Sequence, residues 1–334
     1  MSPLHQPATP PVSIAPALAL LLLASCAGGG DAPADQPSDA PAPRERYTIT
    51  ADTTSGEEVY PEGVAAGLGY VYAGSSADGA VYRGAVGDTS LRLFLAPGAG
   101  GRTAALGLRV TGERLVIAGG ATGRAFAVEP FNGRTLAEWT APTPLNGDST
   151  FLNDHETLPD GSVVFTDSCR PYLWRGEAEG GRLEAYVYLD SAGVDYGPGF
   201  NFNGVVLGAG GTAPVAAQTN TKQLWRIDLD TRAVEEVTLD TPLESGGDGM
   251  RLGPDDRTLY VVDGGAISVY ALGADARSAR RTGRTTSPTF DSPTAAAFGI
   301  GADSARLYVV NSQFAARAGK EPLSLPFEVV TVGR

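Results

Sequence analysis

The 334-residue chain has two cysteines, two histidines and two methionines, and its 25 Lys and Arg are outnumbered by 38 Asp and Glu. Each shortage excludes a class of function. Two cysteines permit one disulfide at most, so this is not a disulfide scaffold. Histidines that do not pair leave no histidine-based zinc site. A net charge of −13 repels a phosphate backbone and argues against nucleic acid as a partner, although solubility explains most of it. The Gly-x-Ser-x-Gly elbow, the Walker loop and the dinucleotide fingerprint are missing, which removes several common enzyme classes. Long windows with apolar residues at helical spacing are missing too. The body is therefore expected to be all-β.

Glycine (44 residues) and proline (24) are abundant, and they suit short strands joined by tight turns. The stretch Phe151–Pro171 shows the pattern. Asn153-Asp154 precedes a short run, Pro159-Asp160-Gly161 makes a turn, and Val163-Val164-Phe165 runs into Thr166-Asp167-Ser168. Proline presets φ and glycine accepts positive φ, so the stretch reads as a hairpin. The pattern recurs at the markers Glu62, Gly107, Asn153, Asn203, Asp248 and Pro293, with steps of 45, 46, 50, 45 and 45 residues. A second strand follows each marker: Tyr70–Gly74, Leu115–Gly119, Val163–Asp167, Pro214–Gln218, Leu259–Asp263 and Leu307–Asn311. A unit of this length with three or four strands is a propeller blade, which predicts a six-bladed β-propeller. The last unit runs out of chain after two further strands. Arg46–Thr50 is the candidate for its outer strand, closing the ring and removing open sheet edges.

Ahead of the body, Ile14–Ala24 is an apolar run too short to span a bilayer stably. It ends in Leu23-Ala24-Ser25-Cys26, which resembles the bacterial lipobox and implies lipidation of Cys26; the alternative is an ordinary signal peptide with a chance cysteine. The leader carries His5 but no Lys or Arg before its apolar run, so the true start codon is open. The expected organisation is a lipoprotein signal peptide over 1–26, a disordered Gly/Ala/Pro/Asp tether over 27–45 and the propeller over 46–334. The protein is then an exported, membrane-anchored lipoprotein on a periplasmic or extracellular face. It is expected to be a monomer that meets the membrane only through its lipid. Cys169, beside Asp167-Ser168, reads as a small buried filler.

In a propeller the first strand of each blade lines the central channel, so its opening residues gather at one mouth. Glu62, Asn153, Asn203 and Asp248 hold that position in blades one, three, four and five. Two carboxylates and two amides make a hard oxygen site for one divalent cation, calcium first, with magnesium, manganese or zinc as alternatives. Gly63, Gly204 and Gly249 follow three of them and allow close approach. Taken singly, each pair is also an ordinary turn dipeptide.

These residues, with Pro159-Asp160-Gly161 and Phe165-Thr166-Asp167, resemble the regucalcin/gluconolactonase (senescence-marker-protein) family of six-bladed propellers over most of 55–315. The resemblance implies that Glu62, Asn203 and Asp248 hold one metal. It also implies that Asn153 binds substrate near it and that Asp248 doubles as general base in opening a lactone. Two positions depart from the family. Phe151 stands where the family's sugar lactonases resemble one another in having arginine, and His155 where glycine is usual. Both imply a less anionic, more apolar substrate. His155 is a candidate proton shuttle, or else packs between blades. Asn220 and Asn311 are candidates to face the mouth. The function expected is a metal-dependent hydrolase of lactones or related esters; the alternative is a non-catalytic metal-containing propeller that binds a small ligand or partner. A redox activity finds no soft or imidazole ligand set here.

Overall fold

A computed structural model describes residues 45–50, 59–143 and 149–334. The leader, Cys26 and nearly all of the tether lie outside the described residues. Among the described residues no helix is long and apolar enough to cross a membrane.

Among the described residues, the strands other than the short Gly181–Arg182 and Thr238–Leu239 form six antiparallel sets of four, five of them consecutive in the chain. Blade one comprises Pro61–Gly67, Tyr70–Ser75, Val81–Ala85 and Ser90–Leu95, and blade two Leu108–Thr111, Arg114–Ala118, Arg124–Val128 and Thr135–Thr140. Blade three comprises Leu152–Thr157, Val163–Asp167, Tyr172–Gly176 and Glu184–Tyr188, and blade four Phe202–Gly208, Ala213–Gln218, Gln223–Ile227 and Val234–Glu236. Blade five comprises Gly247–Leu252, Thr258–Asp263, Ala266–Leu272 and Ser278–Thr285. Blade six is Pro293–Phe298, Arg306–Asn311, Glu328–Gly333 and, as its outer strand, Arg46–Thr50. The first strand of each blade touches that of the next, and Pro61–Gly67 touches Pro293–Phe298, so the inner strands close a ring.

Local chemistry sets the hairpins. Gly161 has φ +86 and donates its N–H to Leu158 O at 2.9 Å, while Asp160 Oδ1 accepts from Ser162 N at 3.0 Å; this is the turn that Pro159-Asp160-Gly161 predicts. Packing then works between blades. Val116, Ala125 and Trp139 of blade two bury against Leu152, Phe165 and Trp174 of blade three, and Trp139 meets Phe165 at 5.4 Å between centroids. Comparable clusters lie at every other blade boundary. Truncating a fully buried anchor such as Trp139 would cost about 3–5 kcal/mol.

The N-terminal strand closes the ring as expected. Arg46 pairs with Val330 in the antiparallel ladder, and the strand's other edge runs parallel to blade one, with Thr48 opposite Ser90. Tyr47 and Tyr308 stack edge-on at 5.6 Å, and both hydroxyls donate to Asp303 Oδ2, at 3.3 and 3.0 Å.

The register corrects one marker. Leu152, Phe202, Gly247 and Pro293 pair with Asp167, Gln218, Asp263 and Asn311, and a bulge follows each pair. The position equivalent to Asn153, Asn203 and Asp248 in blade six is therefore Thr294, one residue beyond Pro293. An extra residue at a bulge re-aims side chains, and here it falls where the expected ligands stand.

Candidate metal centre at the channel mouth

Glu62, Asn153 and Asn203 come together around one small cavity, about 10 Å³, with Gly107, Leu108, Asp154, Gly249, Arg251 and Ala295 completing its wall. That is near the lower limit for holding one water. Asp248 adjoins the group, because its charge acts on Glu62 and it is hydrogen-bonded by Asn203.

The two amides are oriented by hydroxyls. Asn153 Nδ2 donates to Ser168 Oγ at 2.9 Å and Asn203 Nδ2 to Thr219 Oγ1 at 3.3 Å. Those hydroxyls donate onward to the next blade, Ser168 Oγ to Phe202 O and Thr219 Oγ1 to Gly247 O, each at 2.7 Å. With the amide N–H groups donating to these hydroxyls, and that of Asn203 also to Asp248, both amides keep their carbonyl oxygens for a cation. Thr294 repeats the cross-blade bond, donating to Glu62 O at 2.8 Å.

The carboxylates are held in a costly state. Burial above all, then the charges of Asp248 and Asp154, push Glu62 well above the usual carboxyl range against the opposing Arg251. Burial also drives Asp248 up to about 7, with the Asn203 hydrogen bond opposing and Asp154 adding to the rise. Glu62 Oε2 and Asp154 Oδ1 are buried without a hydrogen-bond partner. Orphaned carboxylate oxygens beside oriented amide oxygens fit a hard divalent cation. Among the described residues no three His, Cys, Asp or Glu side chains cluster in ligating geometry, so such a site depends on the amides.

The glycines have a more specific role than the sequence implies. A Cβ on Gly63 would lie 1.9 Å from Leu106 O, one on Gly204 2.2 Å from Asp248 O, and one on Gly249 2.9 Å from Thr294 O. In each case the neighbouring blade's backbone fills the space, so these glycines let adjacent inner strands approach.

His155 is fully buried, at 0 % exposure, and neither ring nitrogen has a hydrogen-bond partner. Burial, then Arg109 and Arg251, hold it well below its ordinary pKa and therefore neutral. Its register partner is Phe165, which makes it equivalent to Val64, Leu108, Val205 and Met250, all buried between blades. The packing alternative describes its surroundings. Phe151 does reach the rim, edge-on to the half-exposed Phe200 at 5.1 Å. Asn220 donates to Asn201 Oδ1 at 3.0 Å, and Asn311 accepts from Asp291 N and donates to Thr289 O, so both brace loops. Cys169 is exposed rather than a buried filler. Partial desolvation by its neighbours and then Asp167 raise its pKa, the opposite of an activated thiol.

The sequence reading missed the layer beneath. Arg109, Glu156 and Arg251 pair with Val116, Val164 and Tyr260 and so share one level of the channel with Ala65, Val206 and Ala297. A charged residue at one register position of three inner strands was the available signal.

No protein-family model matches the chain, and no curated protein matches it by sequence. Solved structures do. The Malassezia sympodialis allergen Mala s 1 superposes with a TM-score of 0.67 at 12% identity, over 87% of this chain and 96% of that one. A candidate gluconolactonase gives 0.58 at 17% identity, over 89% and 94%. The calcium-binding protein regucalcin of Agrobacterium tumefaciens gives 0.57 at 18%, over 86% and 97%. At these identities the likeness is one of fold: the chain is a β-propeller of the architecture shared by regucalcin and gluconolactonase.

Proposed function

We propose that the chain is a divalent-metal-dependent hydrolase of lactones or related esters, acting at the channel mouth and anchored outside the cytoplasm through Cys26. The observation that carries this reading is the pair Glu62, buried, and Asp248, partly buried, both with raised proton affinity beside two oriented amides. Glu62, Asn203 and Asp248 would hold the cation, calcium first, with Asn153 beside it. A bound cation supplies Lewis acidity toward a carbonyl oxygen.

The chain's own residues do the rest. Asp248, a carboxylate beside the cation, would accept a proton from attacking water. Asn153 would orient the substrate, with its amide fixed by Ser168. Phe151 and Phe200 form an apolar rim, which suits a substrate with little negative charge.

A second reading, a non-catalytic metal-containing propeller that binds a small ligand, is favoured by one observation: His155 is fully buried and neutral, so it does not serve the mouth as a proton shuttle. Metal content and lactone hydrolysis of residues 46–334, before and after chelation and alongside Glu62→Gln, separate the two. Joint loss of metal and turnover supports the hydrolase. Bound metal without turnover across a lactone and ester panel supports the binding module, and no bound metal removes the site assignment.

A further inference from the structure

Two arginines cross the channel directly below the candidate metal centre. Arg251, from blade five, donates Nη1 to Met250 O at 2.7 Å and Nη2 to Leu108 O at 2.8 Å and Val64 O at 3.3 Å, carbonyls of blades five, two and one. Arg109, from blade two, donates Nη2 to Val205 O of blade four at 3.1 Å. Their charges meet two carboxylates of blade three. Arg109 Nη1 lies 3.3 Å from Glu156 Oε2, and Arg109 Nη2 and Arg251 Nη1 each lie 3.9 Å from Asp154 Oδ2.

The charges therefore form two levels, joined by Asp154, whose Oδ2 faces the arginines while the residue also lines the cavity and its Oδ1 has no hydrogen-bond partner. The lower level has two guanidinium groups against Asp154 and Glu156 and is neutral in sum. The upper level has Glu62 and Asp248, and among the described residues neither lies in an ion pair within 4.0 Å. Its formal charge of about −2, taken with both carboxyls ionised, balances the charge of one divalent cation. Stacking four uncompensated carboxylates in a low-dielectric channel would be prohibitive.

We infer that Arg109 and Arg251 are a built-in counter-ion floor that limits the mouth to a single divalent cation and sets its affinity by neutralising Asp154 and Glu156 from below. This rests on the metal-centre reading given above. Arg251 is on this view a positioning residue: it stands in the cavity wall, and its charge acts on Glu62 as well as on Asp154 and Glu156. Were it only a staple holding inner strands by their carbonyls, its charge would not matter to the cation.

The test is calcium titration by calorimetry on the chelator-stripped protein, with melting temperature as a second readout. Arg251→Gln removes one positive charge and should raise calcium affinity about tenfold or add a second bound ion, while lowering the melting temperature. Arg251→Lys keeps the charge and loses most of the carbonyl bonds, so it should melt earlier yet bind one calcium with nearly wild-type affinity. Asp154→Asn leaves the floor net positive and should weaken calcium about tenfold. Wild-type stoichiometry and affinity in both Arg251→Gln and Asp154→Asn would overturn the inference alone. So would weaker binding in Arg251→Gln that Arg251→Lys does not restore. A wild-type protein that binds no divalent cation would instead remove the metal-centre reading, and this inference with it.

Discussion

Asn153 Nδ2 donates to Ser168 Oγ at 2.9 Å, and the same oxygen donates to Phe202 O of the next blade at 2.7 Å. One hydroxyl thus locks the orientation of a site amide and ties two blades together. Thr219 does the same for Asn203 and Gly247 O. The site is therefore held by the bonds that hold the ring, which links its geometry to blade packing.

Removing the Ser168 hydroxyl should release both functions. Ser168→Ala leaves Phe202 O and Asn153 Nδ2 without this buried partner, at a cost of about 1–3 kcal/mol, and frees the amide to turn. Cation affinity should fall about tenfold, while Ser168→Thr should retain most of both. Denaturant melts and calcium calorimetry on the two variants check this; equal loss in both would show that the hydroxyl is not the operative group.

The raised carboxyls predict how pH acts on the cation-free protein. Burial raises Asp248 to about 7 and Glu62 well above its usual range, so the folded state binds these protons more tightly than the unfolded chain does. Their stabilising contribution is then present at pH below the ordinary carboxyl range and is lost as pH rises through the folded value. In chelator, the stability of the wild type relative to Asp248→Asn should decline as pH rises from the ordinary carboxyl range toward about 7 and level off above it. Calcium affinity should rise over the same window, because the cation needs the ionised form. A pH-independent difference between the two proteins would contradict the placement of Asp248.

Gly204 should tolerate no side chain. Its Cβ would stand 2.2 Å from Asp248 O and 2.7 Å from Met250 N, so Gly204→Ala must push the fifth inner strand away. We expect a loss of more than about 3 kcal/mol together with loss of cation binding. Gly265→Ala, where a Cβ meets nothing within 4 Å, should change stability by less than about 1 kcal/mol. Comparing thermal melts of the two variants isolates the steric argument from the general cost of altering glycine.

The ring closure should be weakened by one atom. Tyr47→Phe deletes the donor to Asp303 Oδ2, in a pocket where Asp303 Oδ1 is already without a partner. We expect a loss of about 1–3 kcal/mol, with the strand 46–50 becoming the first segment to exchange its amide hydrogens. Protection of that strand equal to wild type would show that the backbone ladder alone holds the closure.

Much of this was legible in the chain. Blade period, hairpin turns and the closing strand follow from local turn chemistry and strand propensity, which act within a few residues and so leave a repeating trace. Glu62, Asn153, Asn203 and Asp248 were legible for the same reason, since each stands at the start of an inner strand. His155 was harder to read, because the bulge at Asn153-Asp154 shifts the in-out alternation by one residue and sends the imidazole between blades. Cys169 lies just past the strand, where the chain turns outward and alternation no longer applies.

By itself the sequence determined an all-β propeller with oxygen-bearing side chains gathered at one mouth, because those properties are periodic and local. The tertiary structure alone decided which charges meet. Arg109, Glu156 and Arg251 come from blades two, three and five, and only ring closure puts them at one level, where the low dielectric of the channel makes each depend on the others.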